Sequence, residues 1–198
     1  MIKLFHAPRT RATRFIFLLE ELGAPYELKQ VNLRRSDGTG ERDPSNPHPH
    51  GKVPAISDHG VVVFESPAIV LYLTDKFSEK GLGPRIGDKD RGTYLSTLVY
   101  YGSVLEPAFM SRFMKVSVPR GTAGWVEVEE AMAFINETLG RHPYIIGDRF
   151  TGADVLYATT FHMFGSSPLL PKSQIVDDYV KRCLDRPAYA RAQAREAA

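Results

Sequence analysis

Glu65 and Ser66 carry groups suited to the charged end of an amino acid. Ser66 followed by Pro67 predicts a helix start, with Ser66 as the N-cap and Pro67 at the first helical position. A helix start binds carboxylates through its N–H groups and its positive dipole end, while Glu65 can accept from an ammonium group. The pair matches the amino-acid head of a peptide ligand. A capped helix beside a solvated glutamate is the simpler alternative.

A second segment offers backbone groups to a peptide. Pro54 stands at the beginning of a predicted strand, where its missing N–H costs least. A cis Val53–Pro54 bond would turn the N–H and C=O of Val53 outward, although only a few per cent of X–Pro bonds are cis and the residues alone do not favour it. A peptide could then pair with Val53 as an added strand. The alternative is a trans proline on an edge strand.

The elements around these residues predict a small α/β domain. Because a helix joins its first two strands, these strands are expected to run parallel. This order of elements is thioredoxin-like and covers residues 1–77. The predicted elements are a strand at 2–6, a helix at 13–22, a strand at 26–33, a hairpin of strands at 53–57 and 61–64, and a helix at 66–77.

The second half of the chain has a different pattern. Residues 78–87 are rich in glycine and charge and predict a linker. Beyond the linker, apolar residues recur at three- and four-residue intervals, which predicts helices at 90–115, 125–139, 151–164 and 173–184. We therefore predict an α/β N-terminal thioredoxin-like domain followed by an all-α helical-bundle domain over residues 88–198.

Composition excludes several classes of function. Lys and Arg number 25 against 23 Asp and Glu, so the formal charge of +2 does not suggest nucleic acid or an anionic membrane as the main partner. A single cysteine, Cys183, rules out an intramolecular disulfide and fits a reducing, cytoplasmic compartment. No signal pattern or apolar run of about 18–20 residues predicts secretion or membrane spanning. His48 and His50 lack a third ligand, so no metal site is predicted.

The sequence Lys-Val-Pro-Ala-Ile, a hairpin, and then Glu-Ser-Pro-Ala-Ile-Val-Leu-Tyr-Leu resembles the glutathione-site segment of cytosolic glutathione transferases of the bacterial, theta-, beta- or zeta-like type. Three further segments add to the resemblance. They are Leu-Leu-Glu-Glu-Leu-Gly at the end of the first helix, a Thr151 and Asp154 capping pair, and Arg-Pro-Ala-Tyr near the C-terminus. The resemblance spans both halves of the chain.

The resemblance implies how glutathione, as a substrate, would be held. A cis Val53–Pro54 bond is implied, with Val53 pairing with the cysteinyl backbone, and the Glu65–Ser66 pair would hold the γ-glutamyl end. Two basic residues would contact the glycine carboxylate. The implied glutathione-binding residues are His50, Lys52, Val53, Pro54, Glu65 and Ser66.

The resemblance also implies where the thiol is activated. Catalysis in this family consists of holding glutathione as its thiolate, and the donor is normally a serine or cysteine in the loop after the first strand. This chain has neither in that loop, so Thr10 is our first catalytic candidate, with the backbone N–H of Arg11 assisting. Thr13 is an alternative hydroxyl, although it more simply caps the first helix. The positive charge of Arg11 or Arg14 could also stabilise the thiolate. In a further alternative Thr10 is only a turn residue.

The function expected from this resemblance is a glutathione transferase whose thiolate attacks a small hydrophobic electrophile, in detoxification. The alternatives are a non-catalytic glutathione- or ligand-binding protein of the same fold and a glutathione-dependent reductase or isomerase. A homodimer without a metal is expected. The co-substrate pocket is predicted on the first helix of the second domain, at Tyr101, Phe109 and Phe113.

Overall fold

The computed structural model describes residues 1–35 and 37–197. Strands and helices are both present in the first part of the described chain, and the regular structure after it is helical. In chain order the elements are β1 (Ile2–His6), α1 (Thr13–Leu22), β2 (Tyr26–Gln30), β3 (Ala55–Asp58), β4 (Val61–Phe64), α2 (Ser66–Lys76), a 3-10 turn (Ser78–Lys80), α3 (Arg91–Tyr100), a π-helical turn (Tyr101–Leu105), α4 (Glu106–Met114), α5 (Val128–Arg141), α6 (Gly152–Phe164), α7 (Gln174–Leu184) and α8 (Pro187–Ala197).

The chain divides into two compact units. The first consists of residues 1–80 together with the C-terminal segment that begins at Arg186, and the second consists of residues 81–185. The predicted second domain, 88–198, therefore differs from the structure at its end. The physical reason is that α8 buries Ala188 and Ala192 and packs on α1. The alternating small and charged residues of α8 do not predict from sequence that this helix packs on α1.

The first unit has a four-stranded mixed sheet in the order β2-β1-β3-β4. β1 and β2 are parallel, as predicted, while β1–β3 and β3–β4 are antiparallel. Helix α1 buries nearly all of its apolar residues, and Gly23 ends it in a left-handed conformation with φ 59°. The unit is the predicted thioredoxin-like α/β domain.

Two helix starts differ from prediction by one residue. Helix α1 has Ala12 at its N-cap, so Thr13 is the first helical residue and not the cap. Helix α2 has Glu65 at its N-cap, so the prediction of Ser66 as the cap is wrong. In both places the N-cap is the residue before the threonine or serine, so the hydroxyl-bearing residue is the first residue of the helix. The two hydroxyls are therefore not used by their own helix starts as caps.

The second unit is a bundle of α-helices, as predicted. Helix α6 is buried along most of its length, and Thr151 and Asp154 form the predicted capping box at its start. The predicted helix at 90–115 is interrupted by the π-helical turn, where the N–H of Glu106 bonds the C=O of Tyr101 five residues earlier. Pro107 follows directly and has no N–H to continue the usual ladder. Among the described residues, no helix has the length and apolar character needed to cross a membrane.

Candidate active site

The strand register brings three predicted site segments to one edge of the sheet. Phe5 in β1 pairs with Ala55 in β3, and Ala55 pairs with Phe64 in β4. In antiparallel pairs the chains run in opposite directions, so the loop after β1 lies beside the residues before Ala55. For the same reason Val53 lies beside Ser66. β2 also ends at this edge, because it runs parallel to β1.

The peptide bond between Val53 and Pro54 is cis, as the family resemblance implied. Pro54 is buried, and Val53 packs against a small apolar cluster of Phe5, Val31 and Ala55. The Val53 side chain thus anchors the segment to the sheet from one side.

The loop that leads to Val53 is folded by two side chains, those of Asn46 and His48. Asn46 donates its side-chain amide to the C=O of Lys52 (3.0 Å) and accepts from the N–H of His48 (3.0 Å). His48 Nδ1 in turn accepts from the N–H of His50 (3.0 Å), which a doubly protonated ring cannot do. Burial lowers the pKa of His48, which keeps that ring neutral. The predicted pair of histidines therefore consists of one folding residue, His48, and one exposed residue, His50.

The start of α2 presents the donors expected of a carboxylate site. The C=O of Glu65 accepts the first helical bond, from the N–H of Ile69 (3.0 Å). The earlier N–H groups of the helix, those of Ser66 and Ala68, lie ahead of this ladder, and Pro67 has none. Glu65 is exposed and has a positive φ of 69° with ψ 126°, and Ser66 is buried. The helix start can thus accept a carboxylate, with the Glu65 carboxylate beside it.

The hydroxyl of Thr10 is engaged within its own loop. It donates to the C=O of Ala7 (2.6 Å) and accepts from the N–H of Ala12 (3.2 Å). Thr13 donates its hydroxyl to Glu196 (2.5 Å), so it is committed to α8. Thr10 is half-buried, as is Arg11. Of the two candidate hydroxyls, Thr10 is the one whose hydrogen bonds stay inside the loop after β1.

Glu196 contacts this loop and was not predicted. One oxygen, Oε1, accepts from the Thr13 hydroxyl, from His6 Nε2 (3.1 Å) and from the N–H of Arg9 (3.1 Å). Burial alone would raise the pKa of Glu196, but these hydrogen bonds together hold that pKa below its ordinary value. The carboxylate is ionised, so His6 is the donor. Sequence carries no signal for this contact, because 183 residues separate Thr13 from Glu196.

Thr10 lines a polar cavity of about 760 Å³ beside the loop after β1. Arg9 and Arg35 bring positive charge to it and Glu41 brings negative charge. Val53, Glu65 and Ser66 are not part of its lining, which consists of residues 7–10 and 30–33 with Arg35, Gly40 and Glu41. Thr10 is therefore the only predicted catalytic or glutathione-binding residue on this cavity wall within the described residues.

The predicted co-substrate residues lie in the second unit and differ in exposure. Tyr101 is fully buried, and its hydroxyl contacts Glu106 (2.7 Å) and Thr160 (2.8 Å). Phe109 is buried as well, whereas Phe113 is 64% exposed. Tyr101 and Phe109 are core residues of the helical unit, because a buried ring presents no surface to a co-substrate. Among the described residues, no three His, Cys, Asp or Glu side chains are grouped to hold a metal ion.

Comparison with known proteins identifies both units. Residues 1–75 match the family model of the glutathione S-transferase N-terminal domain, and residues 118–191 match that of the C-terminal domain. Glutathione S-transferase GstA of Escherichia coli O157:H7 is 26% identical over 199 residues, covering 98% of each chain. The disulfide-bond oxidoreductase YfcG of Escherichia coli K12 is 27% identical over 168 residues, covering 78% of this chain and 76% of the relative.

Solved structures agree with the family models. A glutathione transferase from Methylococcus capsulatus has a TM-score of 0.80 at 25% identity and covers 100% of this chain and 99% of its own. A sphingomonad glutathione S-transferase, solved in complex with glutathione, has a TM-score of 0.75 at 27% identity and covers 98% of each chain. The two domain models and these full-length similarities show that the chain belongs to the glutathione transferase family.

Proposed function

We propose that this chain is a glutathione transferase that holds glutathione along Val53 and the start of α2 and stabilises its thiolate at Thr10. The observation that carries the proposal is the strand register, which brings the loop after β1, Val53 and Ser66 to one edge of the sheet. A related sphingomonad transferase of the same fold was solved with glutathione bound.

Each part of the tripeptide meets a matching group in this arrangement. The γ-glutamyl carboxylate binds the N–H groups and hydroxyl at Ser66, and its ammonium group binds Glu65. The cysteinyl backbone pairs with the N–H and C=O of Val53, next to the cis bond to Pro54. Exposed basic groups on the loop before Val53 attract the glycine carboxylate. These groups are His50 and Lys52.

The chemical step requires a donor near the sulfur. The thiol loses its proton to solvent, the sulfur lone pair forms a bond to an electrophilic carbon, and the leaving group departs with its bonding electrons. Thr10 stabilises the thiolate by donating a hydrogen bond to the sulfur. Its hydroxyl must then give up the hydrogen bond that it donates to the C=O of Ala7. The backbone N–H of Arg11 assists, and the co-substrate is a small hydrophobic electrophile.

Two other functions of the same site are favoured by particular observations. Because the Thr10 hydroxyl already donates to Ala7, a protein that binds glutathione without activating it is the first alternative. The similarity to a disulfide-bond oxidoreductase favours a glutathione-dependent reductase as the second. In both alternatives glutathione is still held by Val53, Glu65 and Ser66.

The proposal includes a cytoplasmic homodimer that acts in detoxification. The first unit exposes an apolar strand, β4, in which Val61 is 54% exposed and Val62 and Phe64 are each 39% exposed. Exposed apolar side chains on this edge strand suit burial against a second copy, and Val62 and Phe64 share one face of it. Sedimentation velocity of the wild type and of Val62→Lys tests this part, and a monomeric wild type contradicts it.

Turnover with glutathione and a generic aryl halide tests the catalytic proposal. The ultraviolet absorbance of the bound thiolate against pH gives the thiol pKa, which we expect below the free value of about 8.5–9. Thr10→Val should raise that pKa, whereas Thr10→Ser should preserve it. Thr159→Val is the matched control, because its hydroxyl also donates to a backbone C=O but lies in α6. Glutathione binding without a lowered thiol pKa would support the binding protein instead.

A further inference from the structure

Glu196 joins three separate parts of the first unit through one oxygen atom. His6 ends β1, Arg9 lies in the loop that follows, and Thr13 begins α1. All three donate to Glu196 Oε1, at 3.1, 3.1 and 2.5 Å. The carboxylate therefore fixes both ends and the middle of the loop that carries Thr10.

The contact between Glu196 and His6 is largely shielded from solvent. The side chains of Glu196 and His6 are 15% and 6% exposed. A shielded carboxylate is stable only when its lone pairs are satisfied, and three donors satisfy one oxygen here. Removing the carboxylate would leave the Arg9 N–H and the Thr13 hydroxyl without this acceptor. The loop would then lose its contacts with α8 at several points together.

The loop needs such an external contact because its backbone is strained. Arg9 has φ 58°, a left-handed conformation that is unfavourable for a residue with a side chain. Its N–H points to Glu196 in that conformation. The next residue is Thr10, whose hydroxyl position depends on Ala7 and Ala12 in the same loop.

Helix α8 and the residue before it have other contacts that hold α8 on α1. Arg186 forms two hydrogen bonds to Glu21 (2.6 and 2.8 Å), and Arg191 donates to the Glu20 side chain (3.0 Å). The ring of Tyr189 packs edge-on against a phenylalanine of α1. A change at Glu196 can therefore disturb the loop while α8 remains docked. This separates a role in positioning the loop from a role in holding the helix.

We propose that Glu196 is a positioning residue of the thiol site, which holds the loop of residues 7–13 so that the Thr10 hydroxyl faces the glutathione sulfur. Glu196 acts through the backbone N–H of Arg9 and the hydroxyl of Thr13 and does not itself touch the sulfur. This inference rests on the proposed role of Thr10 in stabilising the thiolate.

The test uses Glu196→Ala and the isosteric Glu196→Gln in the full chain. In Glu196→Ala the pKa of bound glutathione should rise by about half to one unit, which lowers the thiolate fraction about three- to tenfold near pH 6.5. The affinity for glutathione, measured by calorimetry, should change less than about twofold, because Val53 and Ser66 are untouched. Glu196→Gln should have a smaller effect on the thiol, since one acceptor oxygen remains. If Glu196→Ala fails to fold, Glu196→Gln carries the test.

Arg191→Gln is the matched control on the same helix. It removes the ion pair with Glu20 but leaves the loop after β1 intact, so the thiol pKa should not change. Hydrogen exchange of peptides covering residues 7–13 gives a readout that does not depend on catalysis. It should accelerate in Glu196→Ala and remain at the wild-type rate in Arg191→Gln.

The outcomes distinguish this inference from the proposed function. If wild type does not lower the thiol pKa, the proposed function fails and the role of Glu196 in it fails too. If wild type lowers the thiol pKa and Glu196→Ala lowers it equally, the inference alone is overturned. In the double variant, Thr10→Val should add little to Glu196→Ala, because both changes remove the same donor. Full additivity would show that Glu196 does not act through Thr10.

Discussion

Replacing Asp154 by alanine should strongly destabilise the helical unit. The Asp154 carboxylate is fully buried and accepts from the N–H of Ile145 (2.9 Å) and the N–H of Thr151 (2.8 Å). It also accepts from the hydroxyls of Thr151 (3.0 Å) and Tyr179 (2.9 Å). Alanine would leave all of these buried donors without their acceptor.

The size of the effect follows from the donors that lose their acceptor. A buried donor left without a partner costs about 1–3 kcal/mol, and two of the four are backbone N–H groups that cannot turn away. Burial raises the pKa of Asp154 in spite of its hydrogen bonds, so removing the carboxyl group recovers part of this cost. We expect a net loss of about 3–5 kcal/mol in the free energy of unfolding, well above the roughly 1 kcal/mol of an ordinary helix cap.

Urea unfolding followed by tryptophan fluorescence measures this loss. Trp125 is the single tryptophan and lies in the helical unit, where its Nε1 donates to Ser111 (3.1 Å). With an m-value of about 2–3 kcal/mol/M, the midpoint should fall by about 1.5 M urea. Asp154→Asn keeps one acceptor oxygen and should lose about half as much. A midpoint within about 0.4 M of wild type for Asp154→Ala would refute the reasoning, and the exposed Asp148→Ala serves as the control.

Two further predictions concern the glutathione segment. Burial lowers the pKa of His48, so the unfolded chain takes up a proton at the ordinary pKa of about 6.5 while the folded chain does not. Stability should therefore fall as pH drops below about 6.5. In unfolding curves measured from pH 8 to 5, His48→Gln should remove this dependence. Ser66→Ala should weaken glutathione binding about tenfold in calorimetry, since a hydrogen bond to a charged group contributes about 1.5 kcal/mol. The exposed control Ser117→Ala should bind glutathione like the wild type. Equal affinities of Ser66→Ala and the wild type would contradict the role of Ser66.

Local chemistry explains which parts of the fold and site were predictable. The hairpin at residues 55–64 and the start of α2 depend on turn residues and on Pro67, which lie next to the elements they define. The cis bond before Pro54 was predicted through a family resemblance, since few X–Pro bonds are cis. The one-residue error at Ser66 arose because Glu65, a residue with little preference for φ 69°, occupies the N-cap.

Contacts between distant parts of the chain were not predictable. Glu196 and Thr13 meet only because α8 returns to pack on α1, and periodicity gives no information about that packing. The same limit applies to Tyr101, whose helical spacing is the same for a core residue and for a pocket residue. Its ring is fully buried by packing, and Glu106 and Thr160, which lies on another helix, satisfy its hydroxyl.

The geometry of Thr10 limits how much it can contribute to catalysis. The N–H of Ala12 holds the hydroxyl oxygen, so the proton can turn from Ala7 to a thiolate by rotation about the Cβ–Oγ1 bond alone. The bond lost is neutral, at about 1 kcal/mol, and the bond gained is charge-assisted, at about 1.5–3 kcal/mol. The difference of about 1 kcal/mol lowers the thiol pKa by less than about one unit. A larger depression in wild type would therefore require a second donor, and the N–H of Arg11 is the candidate in the same loop.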